Sequence, residues 1–387
     1  MTYTPGNLVG SNEVNINCTD PDSGQPIRRV AVMTGGGDCP GLNAVIRAVT
    51  KDAMNRRIDV LGVEDGYLGL IENRLRPLSE EDLSGILRRG GTILGSNNKA
   101  NPSRYAVGRH ADGSLAFEDL SANCLRHLAS RGVDAMVIIG GDGTMTSAAM
   151  FAARGVRLVG VPKTIDNDIL GTEITFGFQT AVDTATDALD RVRTTADSHH
   201  RAMVVEVMGR NAGWIALHAG ISSGSDIILI PEIEFDMEVV CGVCRERASR
   251  GKRSTLVCVS EGARPIGGAQ FVAKIDPSSP DPIRLGGVGK FVADIIEQRT
   301  GIESRYVVLG HVQRGGVPCA SDRVLSTQLG HHAMVVLCSG RPGRMVAVAG
   351  GELTDVPIDI AAGRQRLVPG NHPLVAAAKA VGASFGD

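Results

Sequence analysis

The chain has 387 residues, 43% hydrophobic, 21% charged and only 3% aromatic, with 49 glycines and a formal net charge of −2. That length exceeds what one small core can organise, so two domains are expected. The near-neutral balance gives no argument for binding nucleic acid or a membrane surface, and no apolar run reaches the length of a membrane span.

Abundant glycine with few aromatics points to an α/β protein with many tight strand-to-helix turns. Residues 1–28 form a polar leader without the basic start or apolar stretch of a signal peptide. It is expected to be flexible, and the compartment to be the cytoplasm. The eight cysteines are scattered and do not suggest a disulfide framework. Cys241 and Cys244 form a CxxC, but no further zinc ligands lie nearby and the stretch 238–250 reads as a helix, so the pair is taken as structural.

In chain order, a β-branched run at 29–33 ends in Thr34-Gly35-Gly36-Gly37-Asp38, and a helical pattern follows from Pro40 through Met54. The same strand, turn and helix recur at 135–139, Gly140-Gly141-Asp142-Gly143-Thr144 and the small-residue stretch beyond. A third strand at 157–161 leads into Pro162-Lys163-Thr164-Ile165-Asp166-Asn167-Asp168. Further strands at 203–207, 227–230, 255–259 and 306–309 each end in a polar or glycine cluster. This rhythm predicts two doubly wound, Rossmann-like halves with a site in the cleft between them, at the strand ends. The expected division is a donor-binding domain, 29–176 plus 315–365, and a sugar-phosphate domain, 177–314 plus 366–387.

The turns carry the chemistry. Bare N–H groups at a helix start hold phosphate oxygens, and an aspartate among them can hold Mg2+. Neither turn is a Walker A loop; Leu285-Gly286-Gly287-Val288-Gly289-Lys290 comes near that pattern but continues into Phe291. An acceptor hydroxyl needs a carboxylate to take its proton, and Asp166 can serve, although an Asx-rich turn that only shapes the loop would have the same composition. Arg201, Arg210, Arg305 and Arg314 lie at strand starts or ends with His311 close by, a set suited to a sugar phosphate.

In order, residues 36–43, 140–144, 162–168, 199–201, 207–210 and 310–316 (GHVQRGG) resemble the 6-phosphofructokinases, from about Arg29 to beyond Ser321. The resemblance implies transfer of a phosphoryl group to fructose 6-phosphate in glycolysis, with Asp166 as general base and Thr164 and Asp168 flanking it. Asp142 would hold Mg2+, and Gly36, Gly37, Gly141, Gly143, Thr144 and Lys163 would line the donor. Met208, Gly209, Arg210, Glu261, His311 and Arg314 would hold the sugar phosphate, Arg210 also stabilising the transferring group. Arg201 and Arg305 would reach in from a neighbouring subunit, implying a homo-oligomer, a tetramer or at least a dimer.

The family divides between ATP and pyrophosphate. Gly143 stands where pyrophosphate users carry a second aspartate, which favours ATP; Lys163 is typical of pyrophosphate users. ATP is the expected donor and pyrophosphate the alternative. A non-catalytic regulatory subunit is opposed by the presence of Asp166 and Asp142, and an NAD or lipid kinase by TIDND and GHVQRGG. Positions matching the family's inter-subunit effector pocket are Arg47, Lys51, Arg74, Arg193, Asp226, Arg250 and Lys252, so allosteric control by a nucleotide diphosphate or phosphoenolpyruvate is an expectation.

Overall fold

The structure is a computed structural model that describes residues 18–19, 24–276 and 282–387. Strand β1 (Arg29–Thr34) runs into a glycine turn and α1 (Leu42–Asn55), and the chain returns along β2 (Asp59–Val63), α2 (Tyr67–Ile71) and β3 (Leu75–Pro77). An exposed hairpin, β4 (Tyr105–Arg109) and β5 (Leu115–Glu118), precedes α3 (Ser121–Ser130). The next unit is β6 (Ala135–Gly140), α4 (Asp142–Ala153) and β7 (Leu158–Pro162). Here the predicted strands and observed bounds agree within a residue or two.

The long α5 (Phe178–His199) carries the chain to a second sheet built from β8 (Ala202–Val207), β9 (Ile227–Leu229) and β10 (Thr255–Ser260). Between these strands lie α6 (Trp214–Ser222) and α7 (Met237–Ser249). A hairpin of β11 (Val272–Ile275) and β12 (Ile283–Leu285) follows, then α8 (Val288–Thr300) and β13 (Ser304–Val308). Helix α9 (Ala320–Cys338) returns to the first sheet, which gains β14 (Arg344–Ala349) and β15 (Glu352–Pro357) before α10 (Pro373–Ala380) ends the chain on the second lobe.

The first sheet has seven strands in the order β15-β14-β7-β6-β1-β2-β3, and the second has four, β13-β8-β10-β9. β1 lies between β2 and β6 in parallel register, so the winding reverses at the β1/β6 boundary. Open α/β sheets bind ligands in the crevice at such a reversal. One apolar cluster spans both sheets: it runs from Val30 and Val45 through Phe176, Phe178 and Leu189 to Val205, Cys258 and Trp214. Burying these side chains together with the inner face of α5 fixes one lobe against the other.

The structure corrects the reading of the cysteines. Cys18 and Cys338 form a disulfide that closes 320 residues of chain, and Ile27 N–H donates to the Cys18 carbonyl at 2.8 Å. The near end of the leader is thus tied down to the end of α9. The flexibility expected of residues 1–17 and 20–23 falls outside the described residues. A pairing so distant in sequence leaves no spacing signal. Cys241 and Cys244 are buried on α7 against α8, and burial pushes the Cys244 thiol up to about 12. Because a cross-link over a long loop restricts the unfolded chain, Cys338→Ser is expected to cost about 2–4 kcal/mol. Differential scanning calorimetry checks this; coincident melting of parent and variant would refute it.

Candidate active site

Sheet order assembles the donor side. β1, β6 and β7 are neighbours, with Thr34 paired to Ile139 and Gly140 to Pro162, so the three loops at their carboxyl ends lie side by side. Gly35 N–H donates to Ile139 O at 2.8 Å, and Lys163 N–H to Gly140 O at 2.9 Å. Gly36, Gly37, Gly141, Asp142, Gly143 and Thr144 are thereby brought together at the N-terminal ends of α1 and α4. Asp142 opens α4, and its Oδ1 accepts the Gly143 N–H at 2.7 Å. A Cβ at Gly143 would meet nothing within 4 Å, so the space in front of it is open.

Lys163 is packed against the first glycine turn. It is 4% exposed, and its Nζ donates to the carbonyl of Gly37. Burial holds its pKa below the ordinary lysine value. Ser96, which follows Gly95, donates to the Gly36 carbonyl and supports the same turn, and Lys99 pairs with Asp276 of the hairpin at 3.1 Å.

The loop after β7 is held by its own side chains. Thr175 Oγ1 donates to Thr164 O at 2.8 Å, and Asn167 Oδ1 accepts the Thr175 N–H at 3.0 Å. Asn167 has φ 53°, a left-handed conformation that asparagine tolerates. This is Asx-type bonding, but it does not cap α5, whose N-cap is Gly177. Asp166 Oδ1 is shut off from solvent with no hydrogen-bond partner among the described residues. Burial raises the Asp166 carboxyl, Arg314 and Lys163 lower it, and Asp142 raises it. Asp168 is raised to about 7, first by burial and then by Asp166 and Asp142.

The second lobe supplies the facing groups. Residues after β8, β10 and β13 sit together because these strands are neighbours. The Met208 N–H donates to Gln313 Oε1 at 2.8 Å, and Glu261 N–H to Val207 O at 2.9 Å. Gly209, at φ 131°, could not accept a side chain: its Cβ would lie 2.8 Å from Ala212 O. Burial, followed by Asp166 and Glu206, pushes Glu261 to about 7. Arg314 crosses the cleft, its Nη1 donating to Asp38 O at 3.3 Å, and His311 is exposed on the same loop.

Arg201 and Arg305 do not join this group within their own chain. Arg201 precedes β8 and Arg305 lies at the start of β13, at the amino ends of the strands; both pair with Glu303, at 3.0 and 2.6 Å. A five-residue strand such as β13 separates its ends by about 17 Å. The near-miss phosphate loop is also accounted for. The N–H groups of Gly287 and Gly289 donate to the buried Glu206 carboxylate, which fills the place an anion would take.

The effector positions fall into two groups. Arg47, Lys51 and Arg74 lie on the first lobe, where Arg74 is paired with Asp65 at 2.7 Å and Glu72 at 2.8 Å. On the second, Arg193 donates to Gly224 O at 2.6 Å, Asp226 pairs with Arg247 at 2.7 Å, and Arg250 pairs with Glu246 at 2.5 Å. Lys252 lines a cavity of about 340 Å³ with His200 and Ser254. No hydrogen bond or ion pair among the described residues joins the two groups. Gln313, quoted within a motif but given no role, and Asn211 and Gln365, which carried no sequence signal, are site residues the sequence reading missed.

Two apposed, mainly parallel sheets, with glycine turns and acids on one and arginines on the other, make an α/β site for phosphoryl transfer. The phosphofructokinase family matches residues 29–337, and the chain belongs to that family. It is 48% identical over 365 residues to ATP-dependent 6-phosphofructokinase 2 of Clostridium perfringens, covering 94% of this chain and 100% of that one. It is 47% identical over 342 residues to the pyrophosphate–fructose 6-phosphate 1-phosphotransferase of Amycolatopsis methanolica, covering 88% and 96% respectively. The crystal structure of Pichia pastoris phosphofructokinase in the T-state matches with TM-score 0.73 and 31% identity over 92% of this chain. This chain spans 36% of that longer yeast polypeptide. No helix among the described residues is long and apolar enough to cross a membrane.

Proposed function

We propose that the protein transfers the terminal phosphoryl group of ATP to the 1-hydroxyl of fructose 6-phosphate, giving fructose 1,6-bisphosphate. The observation that carries this reading is the unpartnered, water-shielded Oδ1 of Asp166, next to the donor turn and within the field of Arg314, Lys163 and Arg210. A buried carboxylate oxygen without a donor is costly unless a ligand supplies one, and an acceptor hydroxyl does so. Asp166 takes the hydroxyl proton, and the fixed Thr164 and Asp168 keep the loop in place. Arg210 and Arg314 stabilise charge on the transferring group.

The single carboxylate of Asp142 at a helix start fits Mg2+, which is commonly held by one or two carboxylates together with substrate phosphates. When bound there, Mg2+ supplies charge neutralisation at the donor phosphates. Residues 29–176 plus 315–365 are read as the donor domain, and 177–314 plus 366–387 as the sugar-phosphate domain. Arg201 and Arg305, remote from their own chain's site, are read as serving a neighbour's. The protein is accordingly read as a homo-oligomer, a tetramer or at least a dimer, and the two basic groups as parts of an effector pocket between subunits. A cytoplasmic location accords with this role.

One observation favours ATP: the open space before Gly143. Pyrophosphate is the second reading, because the Lys163 ammonium stands at the donor turn and the Amycolatopsis relative is named for that donor. With Mg2+ and fructose 6-phosphate, turnover with ATP is expected to exceed that with pyrophosphate by about tenfold or more. Faster turnover with pyrophosphate would overturn the assignment.

A further inference from the structure

The family match ends at residue 337, yet the chain beyond it passes directly under the acidic loop. After β15 it crosses from the first lobe to the second. On the way Gln365 forms an antiparallel bridge with Ile169, and Arg366 N–H donates to Asp168 O at 2.8 Å. The Arg366 guanidinium donates to Asn167 O at 2.9 Å from Nη2 and lies 4.3 Å from the Trp214 ring centroid. The Trp214 indole N–H donates to Arg366 O at 2.8 Å, and Val368 N–H to Glu232 Oε1, also at 2.8 Å. The backbone of this crossing is therefore held from both lobes.

The side chain of Gln365 uses both ends of its amide. Its Nε2 donates to Asp168 Oδ2 at 2.9 Å, and its Oε1 accepts from Asn211 Nδ2 at 2.8 Å. Asn211 follows Arg210 directly in the chain. Carboxylates accept and do not donate when ionised, so the amide has one orientation that satisfies both neighbours. We propose that Gln365 is a positioning residue of the phosphoryl transfer: it holds the Asp168 carboxylate beside Asp166 and ties it through Asn211 to the segment that carries Arg210. Acid loop and arginine are thus set in register across the cleft by a residue 197 positions from Asp168.

Hydrogen bonding to a carboxylate favours its charged form. The bond from Gln365 Nε2 therefore acts against the burial and the repulsion by Asp166 and Asp142 that push Asp168 upward. Arg366 also lies within the field of Asp168, and Thr164 bonds its side chain. Loss of the Gln365 donor leaves these other groups in place and removes one charge-assisted bond.

This inference rests on the proposed reaction for its kinetic arm and has a second arm that does not. In Gln365→Ala, the acid limb of the kcat/KM profile for fructose 6-phosphate should move up by about one pH unit. At neutral pH kcat should fall about tenfold while KM for ATP stays within about twofold. The isosteric Gln365→Glu keeps the shape and loses the donor, so it should shift the limb at least as far. A purely structural residue would leave the profile in place. Independently of activity, the dependence of Tm on pH from 5 to 8 should differ between parent and Gln365→Ala, because Asp168 ionises in that window. The difference should vanish in an Asp168→Asn background. Superposable kinetic and thermal profiles would overturn the proposal. Inactivity of the parent on fructose 6-phosphate would instead reject the proposed function, leaving the thermal arm to decide whether Gln365 controls Asp168.

Discussion

Asp166→Asn is expected to lower kcat by about 10²–10⁴-fold, leave KM for ATP within about twofold, and raise the melting temperature at pH 8. The loss follows from removing the only carboxylate oxygen of the loop that is buried without a partner. An amide has nearly the same shape but cannot take the acceptor's proton. The gain in stability has a separate cause. Burial raises Asp166 and Asp168 above the ordinary value of 3.8, with Asp168 reaching about 7. Between these values the folded protein binds protons that the unfolded chain has released, so stability from these groups is full below about pH 4. For Asp168 it is lost as pH rises through about 7, and for Asp166 as pH rises through its own raised value, where the two carboxylates repel. Removing one charge should add about 2–4 °C to Tm at pH 8 and almost nothing at pH 4. Steady-state kinetics beside calorimetry at the two pH values checks both parts. Near-parental kcat would remove Asp166 from the base role; a lower Tm at pH 8 would mean that the carboxylate is structurally required.

Gly143→Asp should change the donor without changing the fold. A Cβ there meets no atom within 4 Å and the residue does not use a left-handed conformation, so aspartate enters without strain. Its carboxylate would project into the space beside Asp142, where the resemblance places the inner phosphate of a nucleotide. Like charges about 4–5 Å apart at an effective dielectric of 20 repel by about 3–4 kcal/mol. On that basis kcat/KM for ATP should fall by about two to three powers of ten, with Tm unchanged. Pyrophosphate, lacking that phosphate, should suffer much less, and the ratio of the two donors measured on parent and variant reports the change. Undiminished use of ATP by a folded variant would show that the nucleotide does not pass in front of residue 143.

Much of the frame was legible because it is written locally. The strand expected at 135–139 is Ala135–Gly140, and that at 255–259 is Thr255–Ser260, since each is a short β-branched run closed by polar or glycine residues. The strand at Asp59–Val63 was missed because DVLGV is short and interrupted by glycine. β14 and β15 follow the last chemical motif, and β15 is a half-buried edge strand whose pairing is antiparallel. Nothing in their own residues says which sheet they join. The acid loop and both glycine turns were recognisable by type and order, and they converge as expected at adjacent strand ends.

Lys163 shows where such reading stops. A lysine beside a phosphate turn suggests a ligand contact; only the packing reveals that its ammonium also donates to the Gly37 carbonyl. Cys18 and Cys338 meet because α9 returns to the first lobe, and Gln365 meets Asp168 because the chain crosses between lobes after β15. The sequence by itself determined which chemical groups stand at the ends of which strands, since strand, turn and helix start are set by neighbours a few residues apart. Only the tertiary structure decided which groups face one another, because strand order and the shared core choose partners hundreds of residues distant, and hydrogen bonds and buried charges take their strength from those partners.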